Sequence, residues 1–596
     1  MTDIISEHEA PPQENKGQSH YEPTPEEVKA CKLVAKLFEK AKKHRSLYDE
    51  KWISNYQMFR GKQWKEARPS YRHAEVVNMI FQSIQSTVPI QTDQRPRFTF
   101  VPQEPNDREF AEILNDVAEN DWVRQNWNEE LTEIIYDSNF YSVGLCETGY
   151  DGDALDGVGQ ITFLSQDPFY FFPDPSARDV NKDCDYVVIA EPKDISKIKK
   201  LAKKLGADDK VEFIRSDVVD MMSSGKTDLL PNRLRSPTDS RLIVDDAASP
   251  NELAYQDKAM LFTCYLKCDD YEETQTEDGS YEQKLKYPNG RKIVKVNEMT
   301  LYDGPIPYDD GLFPFARLVN YTLPREFWGI SEIEQLEGPQ KIFNKLLSFA
   351  LDVLTLMGNP VWLNPTSSDV DSEGLTNRPG LVIDHNPGFA PQRIEGVQLQ
   401  PYVMQLAQDM RVWFNEISGS NDITRGVQPT GVTAAAAISS LQDAAQTRLR
   451  LKARHLDSML QDAGKQYLSR VFQFYSAPRM FRITAKDGTE KYFKMHITKD
   501  EKTGKRVAEY VTAEGQRKQY IIEGEFDVRV MTGSTLPFAK AEKEQRLMNL
   551  LQAGIIDGEE VLKGLDYPNW QSVLERIAAK NAEAAAAQQQ QAAMPA

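Results

Sequence analysis

From Thr433 to about Tyr475 the sequence keeps a helical apolar pattern with no proline and a single glycine, Gly464. At 1.5 Å per residue this segment would span roughly 60 Å, longer than an ordinary globular helix. A rod of that length must lay its apolar stripe on a neighbour along most of its extent, in its own chain or in another copy. The segments before it are equally marked. An amphipathic helix is predicted over 329–358, with Phe343, Leu347, Ala350, Leu354 and Met357 in one stripe, and Asn359-Pro360 stops it. Turns and brief strands fill 359–400. A second helix covers 401–418, and a Gly/Thr/Pro-rich loop, 419–432, leads into the long helix.

Upstream, residues 1–24 carry no periodicity and read as a flexible arm. Thr24-Pro25-Glu26-Glu27 then places Thr at an N-cap, Pro at the first helical position and Glu at the third. That helix is expected to continue, with breaks, to about Gly61, and further helices are expected near 74–89, 107–126 and 128–142. Strand-and-turn texture follows from Val143 to about Val188, then a short basic helix near 194–204 and a polar stretch over 206–255. Asn289-Gly290 predicts a hairpin joining Tyr287 to Ile293–Val296. Strands return over 480–532 and helices over 537–580, before an Ala/Gln tail at 581–596. The fold class is therefore α+β.

A net charge of −19 argues against a chain that grips nucleic acid through a general basic surface, though not against one that touches it in passing. The 40% apolar content is enough for a large core. Five dispersed cysteines make no disulfide framework or zinc site and read as reduced, buried thiols of a protein made in the cytoplasm. The nearly apolar stretch Leu346–Met357 is shorter than the ~20 residues a span needs, and Asp352 interrupts it, so no membrane partner is expected.

Catalytic chemistry finds no footing. Gly225-Lys226-Thr227 lacks the upstream glycine of a phosphate loop, since Asp220 stands there. Asp151, Asp153 and Asp156 begin like a calcium loop, but Asp156 occupies the glycine position and Thr162 the bidentate one. The seven histidines have no ligand spacing. No enzyme, metal or cofactor is expected. Two features remain. Arg448, Arg450, Lys452 and Arg454 make a basic cluster spread around the long helix, and Thr424-Arg425-Gly426-Val427-Gln428-Pro429-Thr430-Gly431 is a small, mildly basic loop beside it.

The order of segments resembles the portal proteins of tailed bacteriophages, especially the larger ones of short-tailed phages. Tyr56-Gln57-Met58-Phe59-Arg60-Gly61-Lys62-Gln63-Trp64 resembles that family's aromatic–Gly–Gln–Trp element, followed by Asn78 and Arg95-Pro96. Gly329-Ile330-Ser331-Glu332-Ile333, with Gln340 and Asn344, resembles the start of its stem helix. Gly426–Leu441, Gln442-Asp443 and Arg448–Arg450 resemble its channel loop and long helix.

The resemblance implies a homo-oligomeric ring, usually of about twelve subunits, at one capsid vertex of the virion. Double-stranded DNA is packaged and later ejected through it, and a separate terminase motor docks on it. Its parts would be a wing (25–328, with the long helix and strands of 433–532), stem helices (329–358 and 401–418), a clip (359–400), a channel loop (419–432) and a crown (533–580). Thr424, Arg425, Gln428, Thr430, Arg448 and Lys452 are the residues expected to face the channel or DNA. Asp369, Asp371 and Glu373 form the edge expected to receive the terminase large subunit and then tail adaptors. Major capsid and scaffold proteins are the remaining implied partners. A minor capsid protein, a tail adaptor or a nucleic-acid-processing enzyme are the alternative readings.

Overall fold

The computed structural model describes residues 21–64, 68–69, 71–92, 97–102, 108–218, 257–268, 270–275, 281–358, 361–376, 378–394, 399–419, 447–476, 478–484, 490–499, 506–511, 517–522, 526–531, 544, 547–565 and 576. In chain order its elements begin with α1 (Pro25–Phe59), α2 (Met79–Thr92), β1 (Arg97–Pro102), α3 (Arg108–Arg124), α4 (Trp127–Tyr141), β2 (Val143–Asp151) and β3 (Gln160–Gln166). Next come β4 (Phe171–Pro173), β5 (Tyr186–Asp194), α5 (Ile195–Lys204), β6 (Lys258–Leu266), β7 (Tyr271–Gln275), β8 (Tyr281–Leu285), β9 (Arg291–Val296), β10 (Met299–Pro305) and β11 (Phe315–Val319). The second half holds α6 (Glu332–Gly358), β12 (Trp362–Leu363), β13 (Gln392–Arg393), α7 (Pro401–Ser418) and α8 (Thr447–Phe474). It closes with β14 (Arg479–Thr484), β15 (Glu490–Lys499), β16 (Arg506–Val511), β17 (Arg517–Ile522), β18 (Phe526–Met531) and α9 (Gly558–Gly564). Of the helix expected to start near Thr433, the stretch Thr447–Phe474 is described, and 433–446 lie outside the described residues.

The chain divides into two compact units. The first comprises Met1–Leu47, Phe169–Ser176 and Cys184–Pro307. Its centre is an antiparallel sheet in the order β10-β9-β6-β5-β4. Because side chains alternate along a strand, Met260, Phe262 and Cys264 of β6 face Val34, Phe38 and Ala41 of α1. Their neighbours Ala259 and Leu261 face Ile198 and Ala202 of α5. Both sheet faces are therefore covered, which is why β5 reads Val187-Val188-Ile189-Ala190 without polar alternation.

At the start of α1, Thr24 and Glu27 form the expected capping box, with Glu27 N–H donating to Thr24 Oγ1 at 3.3 Å and Thr24 N–H to Glu27 Oε2 at 2.8 Å. Burial opposes ionisation of Glu27. Hydrogen bonds from Lys210, the Thr24 N–H and Tyr21 outweigh it and hold the carboxyl at about 2. Two expectations fail here. Helix α1 is unbroken over Pro25–Phe59. Gly290 does turn the chain with φ +88°, where a Cβ would meet Ile306 Cδ1 at 2.8 Å. The strands flanking it do not pair, however: β8 pairs with β7, and β9 with β6 and β10. The turn signal was sound, but β9 found partners of greater burial.

The second unit comprises Tyr48–Pro168, Ala177–Asp183 and Tyr308–Ala596. It holds the sheets β11-β2-β3 and β14-β15-β16-β17 and the pairs β1-β18 and β12-β13. Helix α8 is its axis, packing on β1, β2, β3, β11 and β18. Gly464 sits where a Cβ would come within 2.6 Å of Val528 Cγ1 and 3.0 Å of Phe98 Cβ. The single glycine of the long helix thus lets the backbone of α8 come close to the β1-β18 pair. Around that point Phe98, Trp122, Trp127, Phe163 and Tyr467 form an aromatic core with ring centroids 5.2–6.3 Å apart. Tyr467 and Tyr475 both donate to the buried Asp121 Oδ2, at 2.8 and 2.5 Å.

Candidate functional site

Helix α6 begins with a second capping box, Ser331 N–H to Glu334 Oε1 and Glu334 N–H to Ser331 Oγ, both 3.2 Å. Gly329 precedes it with φ +63°, because a Cβ there would lie 2.4 Å from the Tyr321 carbonyl oxygen. Of the apolar stripe expected on this helix, Ala350 is buried, Phe343 and Leu347 are half-buried and Leu354 is exposed. The deeper face is polar instead. Gln340, Asn344, Ser348 and Asp352 recur every fourth residue and are all buried.

Those four side chains bind the backbone of residues 73–79. Asp352 Oδ1 accepts from His73 N–H at 2.7 Å, Ser348 Oγ from Glu75 N–H at 3.1 Å, Asn344 Oδ1 from Val77 N–H at 3.3 Å and Gln340 Oε1 from Met79 N–H at 3.0 Å. Gln340 Nε2 also donates to the Val77 carbonyl at 2.7 Å. Two extended residues advance about 6.6 Å and four helical residues about 6 Å, so the two repeats stay in step. The segment docks as a strand would, with helix side chains in place of a neighbouring backbone.

The string Tyr56–Trp64 belongs to the same assembly. Gly61, with φ +81°, ends α1 in a Schellman turn, Lys62 N–H reaching the Gln57 carbonyl and Gly61 N–H that of Met58. Gln63 then donates to the Met58 carbonyl and to Asn78 Oδ1, and accepts from Asn344 Nδ2. Asn78 caps α2 through Phe81 N–H and holds the Phe59 carbonyl. Trp64 Nε1 donates to the Glu75 carbonyl at 3.3 Å. Sequence reasoning picked out Gln63, Asn78, Gln340 and Asn344 by resemblance but missed Ser348 and Asp352. The signal was there: four polar residues at i, i+4, i+8 and i+12 inside an apolar helix.

Of the residues expected to face DNA, Thr424, Arg425, Gln428 and Thr430 lie outside the described residues, as do Arg95-Pro96 and the side chain of Arg448. Lys452 is placed, and its position corrects the expectation. It is buried, and its Nζ donates to Glu332 Oε2 at 2.7 Å and Asn139 Oδ1 at 3.3 Å, while Tyr321 Oη donates to the same Glu332 oxygen. An ammonium committed to an internal pair offers no charge to a phosphate. Between α6 and α7, the pair β12-β13 closes a small insert. Asp369, Asp371 and Glu373 lie there and are all exposed. Asp369 adopts φ +57°, and Asp371 Oδ1 accepts from Glu373 N–H at 3.1 Å. Helix α7 then packs against α6, burying Val403, Ala407, Met410 and Phe414. Among the described residues no group of three His, Cys, Asp or Glu side chains could hold a metal, and no helix is long and apolar enough to cross a membrane.

An α+β chain in which two packed helices flank a small β insert and a long helix precedes a run of strands has the order of parts expected of a portal-type subunit. The family model for Phage P22-like portal proteins matches residues 36–596, and the chain belongs to that family. It is accordingly a non-enzymatic protein of the phage virion, a head–tail connector at the portal vertex that forms an oligomeric ring through which DNA is packaged and ejected. No curated protein matches the chain.

Proposed function

We propose that about twelve copies of this chain close the ring by heterologous packing of one copy's α6–α7 pair on the next, so that these helices form the stem around the DNA. The clip is then 359–400, the channel loop 419–432 and the crown 533–580, with 25–328 and 433–532 as the wing. Arg425, Gln428, Thr424 and Thr430 touch the passing duplex, and Arg448 faces it from the long helix. The terminase large subunit docks on the clip during filling, tail adaptors replace it afterwards, and capsid and scaffold proteins surround the wing.

The observation that carries this reading is the apolar surface left exposed on both helices. Tyr402, Leu406, Trp413 and Ile417 of α7 follow helical spacing beside its buried stripe, and Ile342 and Phe349 do the same on α6. A repeated patch of this kind on one chain fits a neighbouring copy of itself. The test is assembly of the purified Phe349→Glu, Trp413→Glu double variant, followed by native mass spectrometry and negative-stain imaging. Both side chains are about half exposed (50% and 52%), so the single chain folds as before. The ring population is expected to fall at least tenfold in favour of monomer. Rings at wild-type yield would overturn the assignment of this face.

A further inference from the structure

The basic helix singled out in the sequence is not accounted for by any of this. In the ten residues of α5, ISKIKKLAKK, five are lysine, within a chain of net charge −19. At about 100° per residue Lys197, Lys199, Lys200, Lys203 and Lys204 cover one broad side of the helix. Ile198 and Ala202 occupy the opposite side and are fully buried on the sheet. Burial of that side fixes which way the lysines face: Lys197, Lys200, Lys203 and Lys204 are exposed and Lys199 half-buried. Lys203 and Lys204 also meet the negative end of the helix dipole, but the three lysines before them gain nothing from it. Lys197 lies 3.6 Å from Asp194 in an exposed pair, which holds it weakly. Asp208 and Asp209 follow beyond Gly206, outside the helix.

We propose that α5 is a contact surface for the phosphate backbone of double-stranded DNA, separate from the segment assigned to the channel. The partner has to be a polyanion, and the side chains discriminate between kinds of polyanion. A lysine ammonium is a point charge without the planar fork that grips a carboxylate in two places. The lysine face holds no arginine and no aromatic residue, the types that anchor protein–protein hot spots. A broad row of ammonium groups, four of them exposed, instead matches a duplex, whose phosphates present a charge every ~1.7 Å whatever the sequence. The contact goes beyond the ring assignment and does not depend on how α6 and α7 pack between copies.

The full-length protein is titrated into a fluorescein-labelled duplex of arbitrary sequence, and anisotropy is read across a salt series. Three proteins are compared: wild type, the variant with all five lysines changed to Gln, and the variant with all five changed to Arg. Channel contacts are common to all three, so the differences report α5. The Gln variant is expected to bind at least tenfold more weakly at low salt. Its plot of log K against log salt is expected to be shallower by about 0.9 for each lysine in contact. The Arg variant is expected to keep both affinity and slope. Unchanged affinity and slope in the Gln variant, or no salt-dependent binding by wild type, overturns the proposal. So does polyglutamate that displaces the duplex at equal charge concentration, which would point to an acidic protein partner. If the five-fold Gln variant does not fold, the exposed single changes Lys200→Gln and Lys203→Gln must each flatten the slope.

Discussion

Lys452 shows why a residue's chemistry is not yet its role. Read along the helix it is one of four cations in seven residues, and nothing in that spacing tells which of them points inward. The choice is made by Glu332, Asn139 and Tyr321, which lie far away in sequence and surround its ammonium on the buried side of α8. Removing one partner of a buried pair leaves the other charge without compensation, at a cost of roughly 3–5 kcal/mol. We therefore expect Lys452→Ala to destabilise the second unit by about that much, whereas Lys452→Met combined with Glu332→Gln recovers most of the loss. All eight tryptophans fall outside the first unit, so urea unfolding followed by tryptophan fluorescence reads this region selectively. A Lys452→Ala midpoint equal to wild type would mean that the pair contributes nothing net.

At the scale of elements, the helices were the legible part, because caps and breakers are local. Thr24–Glu27 and Ser331–Glu334 start α1 and α6 by the same reciprocal bonds, and a helix expected over 401–418 runs Pro401–Ser418. What stayed hidden was non-local: the partner of β9, the pairing of β1 with β18 across the chain, and the polar face of α6. That face was masked by its own apolar neighbours, and Asp352 looked like an interruption. It is instead the terminal rung of the ladder that holds residues 73–79, with Arg72 Nη1 also 3.7 Å from its other oxygen. A hydrogen bond to a charged acceptor is worth about 1.5–3 kcal/mol. Asp352→Ala is therefore expected to raise amide exchange at His73 by roughly ten- to a hundredfold, with smaller rises at Glu75 and Val77. Asp352→Asn, which keeps a carbonyl acceptor, is expected to preserve most of the protection. A rise confined to His73 would show that the rungs act separately, and equal protection at His73 in wild type and Asp352→Ala would show that this hydrogen bond does not hold the segment.

For the whole molecule the governing quantity is charge. A channel protein has to let a long duplex slide, and every phosphate neutralised by a fixed cation adds salt-dependent affinity that opposes sliding. A net charge of −19 repeated around a ring keeps such contacts few. The inward turn of Lys452 acts in the same direction, and the exposed lysines of α5 are the exception to that pattern. The insert between α6 and α7, proposed above as the clip, is the acidic counterpart. Asp369, Asp371 and Glu373 are all exposed and lie within five residues of one another. Steering by such an edge acts mainly on the rate of encounter and weakens with salt. Changing all three to Lys is expected to leave ring assembly intact while cutting terminase binding and ATPase stimulation at least tenfold at low salt, with a smaller difference at high salt. Because Asp371 also accepts from the Glu373 N–H, Asp371→Asn serves as the control for the turn itself. The assay is stimulation of purified motor by assembled rings, and full stimulation by the three-Lys variant would remove this edge from the docking surface.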